Sequence, residues 1–383
     1  MNTYGPRIAK LVKGEGCYLW DDVGNQYLDA LSGIAVCGLG HSHPGVAQAI
    51  AEQASTLMHT SNLFAIDPQE KLGERLRELS GMDRVFFSNS GAEANEAAIK
   101  IARKYGQDRG VADPVIITMH GSFHGRTMAT LTATGNNKVK KGFEPLVSGF
   151  VHAPFNDVDT AAKLMASDAN IVAVLVEPIQ GEGGINIPAE DYLNRLRELC
   201  DQHQALLMLD EIQSGNGRSG KFFCYQWNNI LPDVVTTAKG LGNGLPIGAC
   251  LASGRAAEVL QPGNHGSTFG GNPLCTHGAL TVVNHLVDDG LMEHAEQLGE
   301  YFLNKLRSVL RDCPKVSKIR GKGLLIGIEL TEDNLPVVEA CKNRGLIVNL
   351  TAGRVVRLLP PLIMEQQQAD VVIDTVSDVI KAL

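Results

Sequence analysis

The chain has no Cys-x-x-Cys pair. Its eight cysteines, at positions 17, 37, 200, 224, 250, 275, 313 and 341, are scattered, which speaks against zinc sites and disulfides and for reduced thiols used as small buried side chains. Long apolar runs are missing too. Stretches such as Ile171 to Val176 have strand length and fall far short of the ~20 residues a membrane helix needs. Met1 to Pro6 contain no basic segment leading into an apolar one, so no secretory signal is expected. Positive charge is in deficit, 34 Lys and Arg against 42 Asp and Glu for a net −8, and this excludes general nucleic-acid or anionic-membrane binding. Nor is there a clear G-x-G-x-x-G after an N-terminal strand, which counts against a nicotinamide oxidoreductase. What remains is a cytoplasmic protein acting on small molecules.

What is present is ordinary globular composition, 44% hydrophobic and 20% charged over 383 residues, enough for about two domains. Residues 18–29 read as a hairpin around an Asp/Gly/Asn turn, and Pro44 opens a helix. From about 60 to 270, short apolar strands alternate with helical periodicity. The expected strands are Arg84–Phe87, Val115–Met119, Ile171–Glu177, Ala205–Asp210 and Asp233–Ala238, with helices at 91–105 and 189–204. This alternation predicts a largely parallel sheet of βα units. After 272 come two long helices, β-like runs near Gly323–Glu329, Leu346–Leu350 and Val355–Leu358, and a closing amphipathic helix. The expected division is an N-terminal segment 1–55 joining the small domain, a large domain 56–271, and a small α+β domain 272–383.

Chemistry concentrates at the ends of strands, where parallel sheets bind ligands. Ala-Leu-Leu-Met-Leu-Asp ends in Asp210, and the strand 233–238 ends at Lys239 before Gly240-Leu241-Gly242-Asn243-Gly244, a loop that lets a ligand approach closely. Singly, such an acid more often caps a turn and such a lysine more often faces solvent. Together they are what a Schiff-base cofactor needs. A third element, Phe86 to Asn95, runs a strand into a helix through Ser90, Gly91 and Ala92. A helix start there either binds phosphate or is simply capped by Ser90.

Further along, the ordered motifs are Leu-Trp-Asp (19–21), Ser-Gly-Ile-Ala-Val (32–36), Gly-His-Ser-His-Pro (40–44), Asn-Ser-Gly-Ala-Glu-Ala-Asn-Glu (89–96), Phe-His-Gly-Arg-Thr (123–127), Glu-Pro-Ile-Gln-Gly-Glu-Gly-Gly (177–184), Asp-Glu-Ile-Gln (210–213), Ala-Lys-Gly (238–240), His-Gly-Ser-Thr-Phe-Gly-Gly-Asn-Pro (265–273) and Arg-Gly-Lys-Gly-Leu (320–324). Over nearly its whole length the chain resembles the class III (subgroup II, fold type I) pyridoxal-phosphate aminotransferases. The resemblance implies an α/β architecture: a mostly parallel seven-stranded sheet flanked by helices, plus a smaller α+β domain. It further implies that Lys239 carries pyridoxal 5'-phosphate and shuttles a proton. Asp210 pairs with the pyridine nitrogen, Phe123 and Ile212 flank the ring, and Gln213 lies near the phenolic oxygen. Ser90, Gly91 and Ala92 hold the phosphate with Thr268 of a partner subunit, which makes the enzyme a homodimer with shared sites.

Two amino donors must use one site in turn. The resemblance assigns Arg126 to the α-carboxylate of acetylornithine or the side-chain carboxylate of glutamate, and Arg357 to the α-carboxylate of glutamate. Glu182 neutralises Arg357 when no carboxylate is there, and Ser267 joins the substrate site. Arg354 competes for the role of Arg357, but only Arg357 immediately precedes Leu-Leu-Pro-Pro-Leu. No metal is expected: His41, His43, His124 and His265 lack a ligand spacing and read as loop and core histidines. Ser214 and Ser219 stand where relatives often carry threonine, a small departure beside the cofactor.

The run 354–362 and the compact length are most similar to the acetylornithine branch of the family. That branch transfers an amino group from N2-acetyl-L-ornithine to 2-oxoglutarate, giving N-acetyl-L-glutamate 5-semialdehyde and L-glutamate in arginine metabolism. The alternatives are ω-aminotransfer from 4-aminobutyrate, ornithine or succinylated substrates, and a silent binding protein of the same fold. The presence of both Lys239 and Asp210 weighs against the silent protein.

Overall fold

In the computed structural model, which describes residues 1–5 and 7–383, a seven-stranded sheet forms the centre of the molecule. Pro6, part of the opening stretch read for a signal, lies outside the described residues. Across the sheet the strands run Arg84–Ser88, Gly248–Ala252, Val234–Thr237, Leu206–Asp210, Ile171–Val176, Val115–Met119 and Phe150–Ala153. The central strands Ile171–Val176 and Leu206–Asp210 are buried at every residue, as expected where helices cover both faces of a parallel sheet. Six strands point the same way. The exception, Gly248–Ala252, is antiparallel to both its neighbours. Only the ten residues 238–247 separate it from Val234–Thr237, too few for the crossover a parallel partner requires.

The five strands expected from sequence are present, with ends shifted by at most one residue, and the helices begin and end at Gly91–Asp108 and Tyr192–Gln202. The expected sheet lacked Phe150–Ala153 and Gly248–Ala252 because both are short and rich in small or polar residues. The β-like run 346–350 proves to be two strands serving different partners. Leu346–Ile347 pairs in parallel with Gln26–Asp29 of the N-terminal hairpin, whereas Asn349–Thr351 pairs with Val355–Leu358. A further strand, Val316–Lys322, was not anticipated.

Helix starts are chemically marked. Ser90 caps Gly91–Asp108 by accepting from the Glu93 N–H at 3.2 Å, and Asn272 caps Pro273–Asp288 by accepting from the Cys275 N–H at 2.9 Å, each satisfying a donor that has no intrahelical partner. On the buried face of Gly91–Asp108, Ala94, Ala97, Ala98 and Ala102 are small enough to bring the helix close against the sheet. That proximity sets its N-terminus at the ends of the strands.

A second close approach involves Gly299, in the middle of the helix Leu291–Val309, which lies against the backbone of Gly323. A Cβ at Gly299 would come within 2.7 Å of the Gly323 Cα and closer still to its carbonyl. Alanine normally strengthens a helix by ~1 kcal/mol relative to glycine. Here the obstacle is backbone that cannot swing aside, and overpacking costs ~1–3 kcal/mol. Gly299→Ala is therefore expected to lower the apparent Tm by a few degrees in a circular-dichroism melt, and an unchanged or higher Tm would show that this packing is not tight.

Candidate active site

The carboxyl ends of the parallel strands open into a cavity of ≈ 370 Å³ lined by Ser90, Gly91, Ala92, Phe123, Arg126, Glu182, Asp210, Ile212, Gln213 and Lys239, among others. Strand direction explains the gathering, since Ser88, Val176, Asp210 and Thr237 are the last residues of their strands and the chain must turn there.

At the floor, Asp210 is 4% exposed. Its Oδ2 accepts from Asn95 Nδ2 and from His124 Nδ1, each at 2.8 Å, and its Oδ1 accepts from the Ile212 N–H at 3.1 Å. Glu177, one residue beyond its strand, is also buried and accepts from the Phe123 N–H at 2.9 Å and the Gly181 N–H at 3.0 Å. Burial pushes its carboxyl up to about 7, opposed by His124 and reinforced by the negative charge of Asp210. It thereby ties the segment before Arg126 to the loop that carries Glu182.

Lys239 is partly buried at φ = 46°, a left-handed conformation that lysine seldom adopts and that clusters at functional sites. Among the described residues its amine has no hydrogen-bond or ion-pair partner. Burial is the main cause lowering its pKa. Glu182 opposes the shift and Arg357 adds to it, with Asp210 and Glu177 acting weakly against. A lysine so placed gives up its proton more readily than one in water.

At the start of Gly91–Asp108, the Gly91 and Ala92 N–H groups find no acceptor among the described residues, leaving two donors at the positive end of an 18-residue helix. Both readings of Ser90 turn out to be compatible, since its hydroxyl serves the cap while the neighbouring amides stay free. Gly91 is required for another reason. A Cβ there would stand 2.7 Å from Ile212 Cδ1 and displace that side chain from the cavity wall. An anion cradle at one end, a carboxylate oxygen with a single donor on the floor and an amine without a partner among the described residues fit pyridoxal phosphate, the cofactor expected from the resemblance.

The far wall carries an ion pair. Arg357, fully buried, donates from a terminal nitrogen to Glu182 Oε1 at 2.6 Å and to Gln213 Oε1 at 3.2 Å, and from Nε to Asn349 Oδ1 at 3.1 Å. Gln213 Nε2 also faces Glu182 Oε1 at 3.4 Å. Burial alone would raise the Glu182 pKa, but the Arg357 charge and hydrogen bond outweigh it and hold the carboxyl below its usual value. Arg354 pairs instead with Glu329 at 2.9 Å, away from the cavity. Arg126 is exposed at the rim, its guanidinium 5.5 Å from the centre of the Phe123 ring.

Three expected site residues do not line this cavity in one chain: Arg357 is fully buried against Glu182 and Gln213, and Ser267 and Thr268 lie outside it. Thr268 is exposed, and the Ser267 hydroxyl accepts from Asn89 Nδ2 at 3.1 Å and from the Gly270 N–H at 3.0 Å. Conversely, sequence reasoning passed over Asn95, Glu177 and Asn349, and left His124 as a loop or core histidine, whereas His124 touches Asp210. The available signal was a polar residue, Asn95, on the apolar stripe of a helix. No group of histidine, cysteine or carboxylate side chains suited to a metal ion occurs among the described residues.

The family profile described as "Aminotransferase class-III" matches residues 2–380. Among curated proteins, the acetylornithine aminotransferase of Nitrosomonas europaea is 54% identical over 99% of this chain and 97% of its own length. Among solved structures, an ornithine aminotransferase from Toxoplasma gondii, reported with pyridoxal phosphate at partial occupancy in its active site, superposes with a TM-score of 0.96 at 35% identity, covering 100% of this chain and 92% of that one. The N-acetylornithine aminotransferase of Stenotrophomonas maltophilia superposes with a TM-score of 0.87 at 36% identity, covering 100% of this chain and 98% of that one.

Proposed function

The chain belongs to the class-III aminotransferase family, and from that membership we propose that it transfers the distal amino group of N2-acetyl-L-ornithine to 2-oxoglutarate, yielding N-acetyl-L-glutamate 5-semialdehyde and L-glutamate. Its cofactor, pyridoxal phosphate, supplies the electron sink for negative charge developed at the substrate carbon. Lys239, Asp210, Phe123, Ile212, Gln213 and the helix start at Ser90, Gly91 and Ala92 hold it.

The remaining work falls to side chains of the protein. Lys239, whose pKa burial lowers, would hold the cofactor through its amine and accept and return a proton at the reacting carbon. Asp210, its carboxylate held by Asn95 and His124, would pair with the ring nitrogen. Arg126, exposed at the rim, takes the α-carboxylate of acetylornithine. The observation that carries the reading is the Glu182–Arg357 contact at 2.6 Å. With acetylornithine bound, Glu182 neutralises Arg357, so no lone cation is buried. With glutamate bound, the substrate α-carboxylate takes Glu182's place in a bidentate contact. One wall thus serves both half-reactions.

The reading extends to a cytoplasmic homodimer in which the partner's Thr268 reaches the phosphate. It is supported by exposed apolar residues grouped near that loop, Leu63, Phe64 and Phe269 among them, tied to it by Asn62 Nδ2, which donates to the Ser267 and Gly270 carbonyls at 3.1 Å.

N-acetylornithine added to the loaded protein without an oxo acid is expected to abolish its visible absorbance and release one aldehyde per site. The kcat/KM should exceed those for ornithine and 4-aminobutyrate at least ~10-fold, the effect of a misfitted substrate end. Equal or faster reaction with ornithine would move the substrate and leave the chemistry intact.

A further inference from the structure

Asp210 does not stand alone. Thr236, on the neighbouring strand and in register with Asp210, donates from Oγ1 to Asn95 Oδ1 at 2.7 Å. The amide so oriented donates from Nδ2 to both Asp210 Oδ2 and the His124 carbonyl, each at 2.8 Å. His124 is held in turn by its own N–H, which donates to Thr134 Oγ1 at 2.9 Å. All four side chains, those of Thr236, Asn95, His124 and Asp210, are below 5% exposure. The chain of contacts joins four segments separated in sequence.

His124 has a feature that packing does not explain. A carboxylate oxygen only accepts, so Nδ1 of His124 carries the proton shared with Asp210. Its other ring nitrogen, Nε2, is buried and has no hydrogen-bond partner among the described residues. Buried polar atoms are nearly always satisfied, and a leucine would fill similar space without this defect. The imidazole is therefore present for what Nδ1 does. The two donors occupy Asp210 Oδ2, while Oδ1 has a single neighbour, the Ile212 N–H at 3.1 Å.

We infer that His124, together with Asn95, is a positioning residue: the pair holds Oδ2 of Asp210 and thereby presents Oδ1, correctly turned, to the pyridine nitrogen of the cofactor. This rests on the reading of Asp210 above. Without the donor, the carboxylate rotates between orientations and only a fraction of the population is competent to bind, which weakens affinity by that fraction. Asparagine at position 124 places an N–H close to where Nδ1 stands, whereas leucine places none.

The test titrates pyridoxal phosphate into apoprotein and reads the dissociation constant, with the thermal melt of each apoprotein measured alongside. His124→Leu is expected to raise the constant on the order of tenfold, as for loss of a hydrogen bond to a charged group, with an apoprotein Tm no lower than that of the parent. His124→Asn is expected to bring it back to within about threefold. If leucine and asparagine weaken binding equally in folded proteins, or if leucine leaves it unchanged, the positioning role is overturned. Asp210→Ala separates the two failures. If it weakens binding while His124→Leu does not, only the inference falls; if neither variant changes the constant, the reading of Asp210 falls as well. Should His124→Leu not fold, Asn95→Leu replaces it, with Asn95→Asp as the variant that keeps shape but removes the donor, and unchanged binding in both would overturn the network.

Discussion

Lys239→Ala is expected to lose turnover with N-acetylornithine by on the order of 10⁴-fold or more, the scale of a lost nucleophile and proton carrier. Among the described residues the amine has no partner at the cavity wall, and its pKa is depressed chiefly by burial. The neutral amine is thereby easier to reach than in water, and among the described residues no other lysine lines the cavity. Lys239→Arg distinguishes charge from proton transfer. Arginine keeps the positive charge but does not give up its proton, so it should lose as much activity as alanine. Steady-state rates with matched circular-dichroism melts check this. Retention of more than about 1% activity by the alanine variant would place the proton-transferring group elsewhere.

The second large effect concerns one substrate and spares the other. Arg357→Ala is expected to reduce kcat/KM for glutamate by about 10²–10³-fold, the cost of removing one partner of a buried hydrogen-bonded charge pair. Glutamate then meets the unneutralised carboxylate of Glu182 where it previously met a guanidinium. N-acetylornithine requires Arg357 only to be quiet, so its kcat/KM should fall less than about 10-fold. Glu182→Gln is expected to act in the opposite sense. It leaves Arg357 unpaired and so favours glutamate over N-acetylornithine. Equal losses for both substrates in Arg357→Ala would mean that the pair is a structural contact and not an exchangeable one.

Several parts of this site were legible before any coordinates because their chemistry is local. Lys239 beside its glycine loop, Asp210 at the end of a wholly apolar strand, and Ser90 at a helix start each show in a few consecutive residues. The strand alternation that identifies the sheet is equally local, and so is the capping of Gly91–Asp108. Other features have no local mark. Phe150–Ala153 includes a histidine and reads as loop until the sheet edge pairs with it. Gly248–Ala252 is antiparallel because of the short segment before it, and no residue within the strand states its direction. Its small residues are also poor strand formers on their own.

Sequence by itself determined the kind of protein this is, an α/β chain of the class-III aminotransferases, and offered Lys239, Asp210, Arg126 and Arg357 as candidates. Only the tertiary structure decided how they are held. Asn95 and Asp210 are 115 residues apart, His124 and Asp210 86, and Glu182 and Arg357 175. A hydrogen bond acts over about 3 Å and leaves no periodicity or composition signal across such separations. His124 illustrates the division. Along the chain it is one of eleven histidines. In the fold, the turn after Val115–Met119 and the end of Leu206–Asp210 bring its Nδ1 to within 2.8 Å of the acid, and that distance makes it part of the site.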